Sequence, residues 1–243
     1  MSKIGAIILA AGKGTRMKST TTNKVMLNLA GRPMLSYTID NFRKAGIDEI
    51  VVVVGFAKKS IINYFGDSIE YADQKKRLGT AHAVQVGLAK LSDDVTDVLS
   101  VYGDDSYMYS PELLRKLIDT HKAKNADMTI LTVEMYDPTG LGRIIRSDKG
   151  TIQAIVEERV ATDELKKIKE INTGCYIFNR VFLTKYLPKI QKNPVAKEYY
   201  LTDILEIAVT HKKKIADVAG GRIPWRGVNR PEELEQARKL IAQ

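Results

Sequence analysis

The chain has 243 residues, 44% of them hydrophobic and 28% charged, and its 38 Lys and Arg against 29 Asp and Glu leave a net charge of +9. That composition excludes disorder and collagen-like repeats, and the length can bury a sizeable core as one large domain or two small ones. A single cysteine, Cys175, excludes an intrachain disulfide and a multi-cysteine zinc site and fits a reducing cytoplasm.

In chain order, Ile4 to Gly12 carries no charge but is far shorter than the roughly 20 apolar residues of a membrane span. Only Lys3 precedes it, so a buried strand, Lys3 to Leu9, is expected rather than a signal peptide. Leu35, Ile39, Phe42 and Gly46 follow at spacings that mark one face of a helix, ended by Gly46. Glu49 to Val54 holds the run IVVVV and reads as a strand buried on both faces. Lys58 to Phe65 is a short helix, and Ala81, Val84, Leu88 and Leu91 form a second helical stripe. Asp97 to Tyr102 is the next strand. Ser110-Pro111 opens a helix with Leu113, Leu114, Leu117, Ile118 and His121 inside, and Met128 to Glu134 is a further strand.

The second half is more mixed. Gly142 to Arg146 and Ile152 to Glu157 flank Asp148-Lys149-Gly150 as a hairpin, and Ile171 to Asn179 is another strand. Helices are expected at Phe182 to Gln191, Leu201 to His211 and Pro231 to Ala242. Alternating strands and helices imply an α/β fold, a mostly parallel sheet covered on both faces. No long linker divides the chain. The basic residues fall in short clusters such as Lys75-Lys76-Arg77, Lys166-Lys167 and Lys212-Lys213-Lys214. With no basic tail and no aromatic–basic interleaving, these imply a solvated surface rather than a nucleic-acid face.

The strongest signal is the turn after the first strand, Leu9-Ala10-Ala11-Gly12-Lys13-Gly14-Thr15-Arg16-Met17. A glycine-rich turn at the carboxyl end of a parallel strand brings backbone N–H groups close to phosphate oxygens. It is not a P-loop, because one residue rather than four separates Gly12 from Gly14. It is not the dinucleotide motif either, because Met17 stands where a third Gly or Ala is needed.

LAAGKGTRM, a later lysine (Lys24) and LAGRPML resemble the sugar-nucleotide pyrophosphorylases, above all the uridyltransferase domains of bacterial N-acetylglucosamine-1-phosphate uridyltransferases. Further segments match in order: Gln74 with LGTAHAV, then YGD, GRIIR, IVEE, INTG, EYYLTD and GVN. The resemblance implies a single Rossmann-like nucleotidyltransferase domain over 1–243. Its nucleotide part would run to about 110, its smaller mixed β region for the sugar over about 111–229, and its last helix over 230–243. It implies small-molecule substrates, UTP and a sugar 1-phosphate, with no nucleic acid and no membrane as partners. The hexapeptide repeats of the bifunctional relatives are not expected in this chain, so its activity would be uridylyl transfer alone.

By the same resemblance Arg16 and Lys24 are the catalytic cations, and Asp104 with Asn229 holds Mg²⁺. Leu9, Ala10, Ala11, Gly12, Lys13, Gly14 and Thr15 take the phosphates. Gln74, Gly79 and Thr80 lie at the base, and Tyr102, Gly103, Gly142, Glu157, Asn172 and Thr202 at the sugar. Two of these residues also suit a local role. Thr80 could cap its helix, and Asn229 could cap the last one with Glu232 three residues on. His82 reads as a structural hydrogen-bonding residue and Cys175 as a small buried hydrophobe. Departures from the family pattern are Asn23 in place of Pro before Lys24, one extra residue between Arg16 and Lys24, Arg77 before LGTAHA, Val160 after IVEE, and Asp105-Ser106 after YGD.

Overall fold

The computed structural model describes residues 3–14, 21–222 and 227–241; Thr15 and Arg16 therefore lie outside the described residues. Its main feature is a nine-stranded sheet. The strands are β1 (Lys3–Ala10), β2 (Glu49–Val54), β3 (Glu70–Asp73), β4 (Val95–Tyr102), β5 (Met128–Glu134), β6 (Arg143–Arg146), β7 (Ile152–Val156), β8 (Glu170–Asn179) and β9 (Ile215–Ala219). The order along the main path is β9-β5-β8-β4-β1-β2-β3, with the β6–β7 hairpin attached to β8. β8 runs antiparallel to both β4 and β5, and the other neighbours on the path are parallel.

The apolar runs explain the centre. In β1, Ile4, Ala6, Ile8 and Ala10 join one core and Ile7 joins the other; in β2, Ile50, Val52 and Val54 alternate with Val51 and Val53 in the same way. Both faces are therefore covered. Helices α1 (Met34–Lys44), α2 (Lys58–Phe65) and α4 (Pro111–Lys124) pack on one side through Phe42, Ile61 and Leu117. Helices α3 (Thr80–Leu88), α6 (Arg180–Tyr186) and α7 (Ile204–Thr210) pack on the other through Val84, Phe182 and Leu205. A four-residue α5 (Asp163–Lys166) lies on the excursion between β7 and β8. The last helix, α8 (Pro231–Ile241), closes a third small core of Leu29, Met34, Tyr107, Val228, Leu234 and Ala237. Among the described residues no helix is long and apolar enough to cross a membrane.

Three expectations change. The edge strands β3 and β9 (EYAD and IADVA) were not foreseen; they are only four and five residues long, and each carries charge, as sheet edges do. Leu91 belongs to the core but not to α3, which ends at Leu88. The helix expected to run from Phe182 to Gln191 ends at Tyr186, and Leu187–Lys189 forms a 3-10 turn around Pro188, which has no N–H to continue the ladder.

The chain leaves β1 for β2 on one side and returns through α3 to β4 on the other. β1 and β4 thus meet at the point where strand order reverses, with Leu9 opposite Tyr102. Open α/β sheets bind ligands outside the carboxyl ends of strands at such a point.

Candidate active site

Two cavities open at this edge. The first, about 380 Å³, is lined by Leu9, Ala10, Ala11, Gly12 and Lys13 from the glycine loop and by Gln74, Gly79 and Thr80 across from it. The second, about 630 Å³, is lined by Gly142, Glu157, Asn172, Thr202 and Asn229. Lys24, Tyr102 and Asp104 line both, so the cavities meet at these three side chains. Two expected residues stand behind the walls: Gly103, whose buried N–H donates to Leu9 O (3.0 Å), and Gly14, packed against the stem of Lys24.

Asn23 places Lys24. Its buried side chain donates to Ala10 O (2.8 Å) and Phe56 O (2.9 Å), and its Oδ1 accepts from Val25 N (3.2 Å) to start the turn Lys24–Met26. The amide thereby ties that turn to the end of β1 and to the loop after β2. Asn23→Ala would take this partner from the buried Ala10 carbonyl and the half-buried Phe56 carbonyl. We expect it to cost about 2–3 kcal/mol in chemical denaturation and to weaken ligand binding in the first cavity by loosening Lys24. A loss below about 0.5 kcal/mol would remove Asn23 from this role.

Lys24 Nζ donates to Asp104 Oδ2 and, at 3.1 Å, to Asn229 Oδ1. Asp104 in turn holds the distant chain segment, since its backbone O accepts from Val228 N (2.9 Å). The start of α8 is closed by Glu233, whose Oε2 accepts from Asn229 N (2.6 Å) and Arg230 N (3.0 Å). This corrects the expected cap: Glu233 reaches back, not Glu232, and the Asn229 side-chain oxygen faces Lys24.

A carboxylate oxygen and an amide oxygen thus already hold one full positive charge. That donor set is the one a hard divalent cation takes. Beside it Asp105 is 5% exposed with Oδ1 buried and unpartnered. Burial first, and then the Asp104 carboxylate, push Asp105 well above the usual carboxylate range, with Lys24 opposing. Among the described residues no three His, Cys, Asp or Glu gather into a metal cage. Mg²⁺ needs none, because it takes one or two carboxylates and fills its shell with water and phosphate. The residues present therefore fit such an ion.

In the wall of the first cavity Gly79 has φ +106°, and an added Cβ would lie 2.6 Å from Tyr199 N. The backbone of Tyr199 docks there by accepting from Ala81 N (3.0 Å) and donating to Leu78 O (2.7 Å). Thr80 is not a cap: Gly79 holds that place, and Thr80 Oγ1 accepts from Leu201 N (2.8 Å). In the wall of the second cavity Asn172 Oδ1 accepts from Gly174 N (3.1 Å) and Tyr176 OH (2.8 Å), while Asn172 N donates to Gly142 O (2.8 Å). Burial first, then Asp105 and Glu157, push the Tyr102 phenol above its usual range, so it stays neutral.

The sequence profile described as nucleotidyl transferase matches residues 5–243. The chain belongs to this family. Among its relatives are proteins named bifunctional protein GlmU, 43% identical over 88% of this chain in Symbiobacterium thermophilum and 36% identical over 100% of it in Bacillus subtilis. The chain spans about half their length, 46% and 53% respectively. A solved structure from Bacillus anthracis, named as a glucose-1-phosphate thymidylyltransferase in complex with sucrose, superposes with a TM-score of 0.81 over 98% of this chain and 94% of its own. At 20% identity it shows a shared fold. Nucleotidyl transferases move a nucleotidyl group to an acceptor, and the two cavities meeting at one point suit two ligands.

Four residues of the site were not read from sequence. Asn23 stood out only as a departure. Gly174 was quoted inside INTG without its reason, a φ of +75° against the Tyr102 ring. Asp137 and Thr139 line the second cavity from a loop with no motif at all.

Proposed function

We propose that the chain is a magnesium-dependent uridylyltransferase that makes UDP-N-acetylglucosamine and pyrophosphate from UTP and N-acetylglucosamine 1-phosphate. The observation that carries this is the meeting of the two cavities at Lys24, Tyr102 and Asp104. A triphosphate in the first would present its α-phosphorus where a sugar phosphate in the second would present its oxygen. The motif resemblance to N-acetylglucosamine-1-phosphate uridyltransferases and the kinship with GlmU proteins support the choice of substrates.

A phosphate monoester has a second pKa near ~6, so the acceptor is already mostly dianionic at neutral pH and needs no general base. The site needs charge neutralisation and in-line placement instead. The backbone of Gly12 to Gly14 would hold the triphosphate. Lys24 and Arg16 would neutralise the charge that passes to the leaving pyrophosphate. Gln74 and Gly79 would hold the uracil edge, and Gly142, Glu157, Asn172 and Thr202 the sugar hydroxyls and N-acetyl group. Asp104 and Asn229 would bind Mg²⁺, which when bound screens the phosphates that both substrates bring. The acceptor oxygen forms a bond to the α-phosphorus as the bond from α-phosphorus to the bridging oxygen breaks, and pyrophosphate leaves with that electron pair.

The buried thiol of Cys175 belongs with a cytoplasmic enzyme. A panel of four nucleoside triphosphates against several sugar 1-phosphates, followed by pyrophosphate release, tests the proposal. UTP with N-acetylglucosamine 1-phosphate should give the highest kcat/KM. Preference for another triphosphate would remove the base-reading role from Gln74 and Gly79, and nucleotide binding without turnover would make the chain a sensor rather than an enzyme.

A further inference from the structure

Gln74 stands at the rim of the first cavity, where its backbone N–H donates to Val54 O (2.8 Å) and extends the ladder past β3. Its side-chain Nε2 is 3.0 Å from Gly79 O and 2.9 Å from His82 Nδ1. A backbone carbonyl only accepts, so the first contact fixes which end of the amide is nitrogen. That nitrogen carries two protons. One goes to Gly79 O. The other goes to His82 Nδ1, which accepts it when the ring proton is on Nε2. Both amide protons are then committed inside the protein, and Gln74 has only its carbonyl oxygen for a ligand.

This matters for the choice of base. Uracil presents an N–H donor at N3 beside a carbonyl acceptor. Cytosine presents an acceptor at N3 beside an amino donor. A Gln74 that can only accept, next to the Gly79 N–H, matches uracil and opposes cytosine. Without His82 the second amide proton is released and can serve cytosine N3. The His82 ring itself is half-buried and lines a separate cavity with Leu78, Gln85, Pro188 and Tyr199, so it acts on the nucleotide only through Gln74.

We infer that His82 is a specificity-determining positioning residue: by accepting the second amide proton of Gln74 it leaves the nucleotide site an acceptor at that point and selects uracil over cytosine. The inference rests on Gln74 and Gly79 being the base-reading groups of the proposed function.

The test compares UTP with CTP, by dissociation constant from calorimetry and by kcat/KM, in the wild type, His82→Leu, His82→Ala, His82→Asn and Gln74→Ala. Each ratio is taken within one preparation, so a loss of folded fraction does not move it. The expected result is a UTP preference at least ~10-fold narrower in His82→Leu and His82→Ala, seen in KM more than in kcat. His82→Asn, whose Oδ1 can stand in for Nδ1 as acceptor, should keep the ratio within about threefold of wild type. An unchanged ratio in His82→Leu and His82→Ala, with a collapsed one in Gln74→Ala, overturns the role of His82 and leaves Gln74 as the base reader. An unchanged ratio in Gln74→Ala, or no UTP preference in the wild type, overturns both.

Discussion

Asp104→Ala should lower kcat/KM by roughly 10³-fold, about 4 kcal/mol of transition-state stabilisation, with little change in substrate-free stability. Among the described residues Asp104 is the one carboxylate that lines both cavities, and it also holds the Lys24 ammonium. Its removal takes an anionic ligand from the proposed cation and releases Lys24 from its seat. Asp104→Asn keeps the shape and an oxygen acceptor but not the charge, so it should fall between the two. The backbone contact from Val228 N to Asp104 O survives either change, which is why the fold should hold. Pyrophosphate release and a thermal melt measure both parts. A kcat/KM within tenfold of wild type would remove Asp104 from the mechanism.

Gly174→Ala should be strongly destabilising. Gly174 lies where the β8–β5 register shifts between Asn172 and Tyr176, and its φ is +75°. A residue with a Cβ pays for that conformation by strain, and here the added Cβ would also lie 2.5 Å from Cδ2 of Tyr102. Strain and overpacking together should cost about 3–5 kcal/mol, or roughly 6–15 °C in melting temperature for a chain of this size. Tyr102 lines both cavities, so KM should rise for both substrates. The double variant Gly174→Ala with Tyr102→Ala should recover the overpacking share but not the backbone strain. If the two losses simply add, Tyr102 is not what Gly174 makes room for.

The parts of the fold legible in sequence were those with a strong period. IVVVV, the α1 stripe and Ser110-Pro111 at the start of α4 all encode local structure, and Ser110 does accept from Leu113 N (3.2 Å) as a cap should. β3 and β9 were hidden because an edge strand buries one side only. Of the expected site residues, those whose type follows from chemistry, such as Gly12 and Asp104 just past β4, do come together at the cavity walls. The site was not legible where one residue holds another. Asn23 is an amide that replaces a rigid proline by bonding to two carbonyls far away in sequence, and no spacing reveals those partners. The position of Glu233 rather than Glu232 in the last cap depends on where α8 begins, a shift of one residue that propensity does not resolve.

In the proposed reaction, fixed cations and main-chain amides at the carboxyl edge of β1 and β4 would bring two phosphorylated reactants together around a divalent ion. Exchange of labelled pyrophosphate into UTP, started from UDP-N-acetylglucosamine, tests it most directly, because it requires both cavities and the reversal of the same step. The expected result is exchange that depends on added magnesium and disappears in Asp104→Ala. A folded protein that shows no exchange with UDP-N-acetylglucosamine or any other UDP-sugar, with or without magnesium, would contradict it.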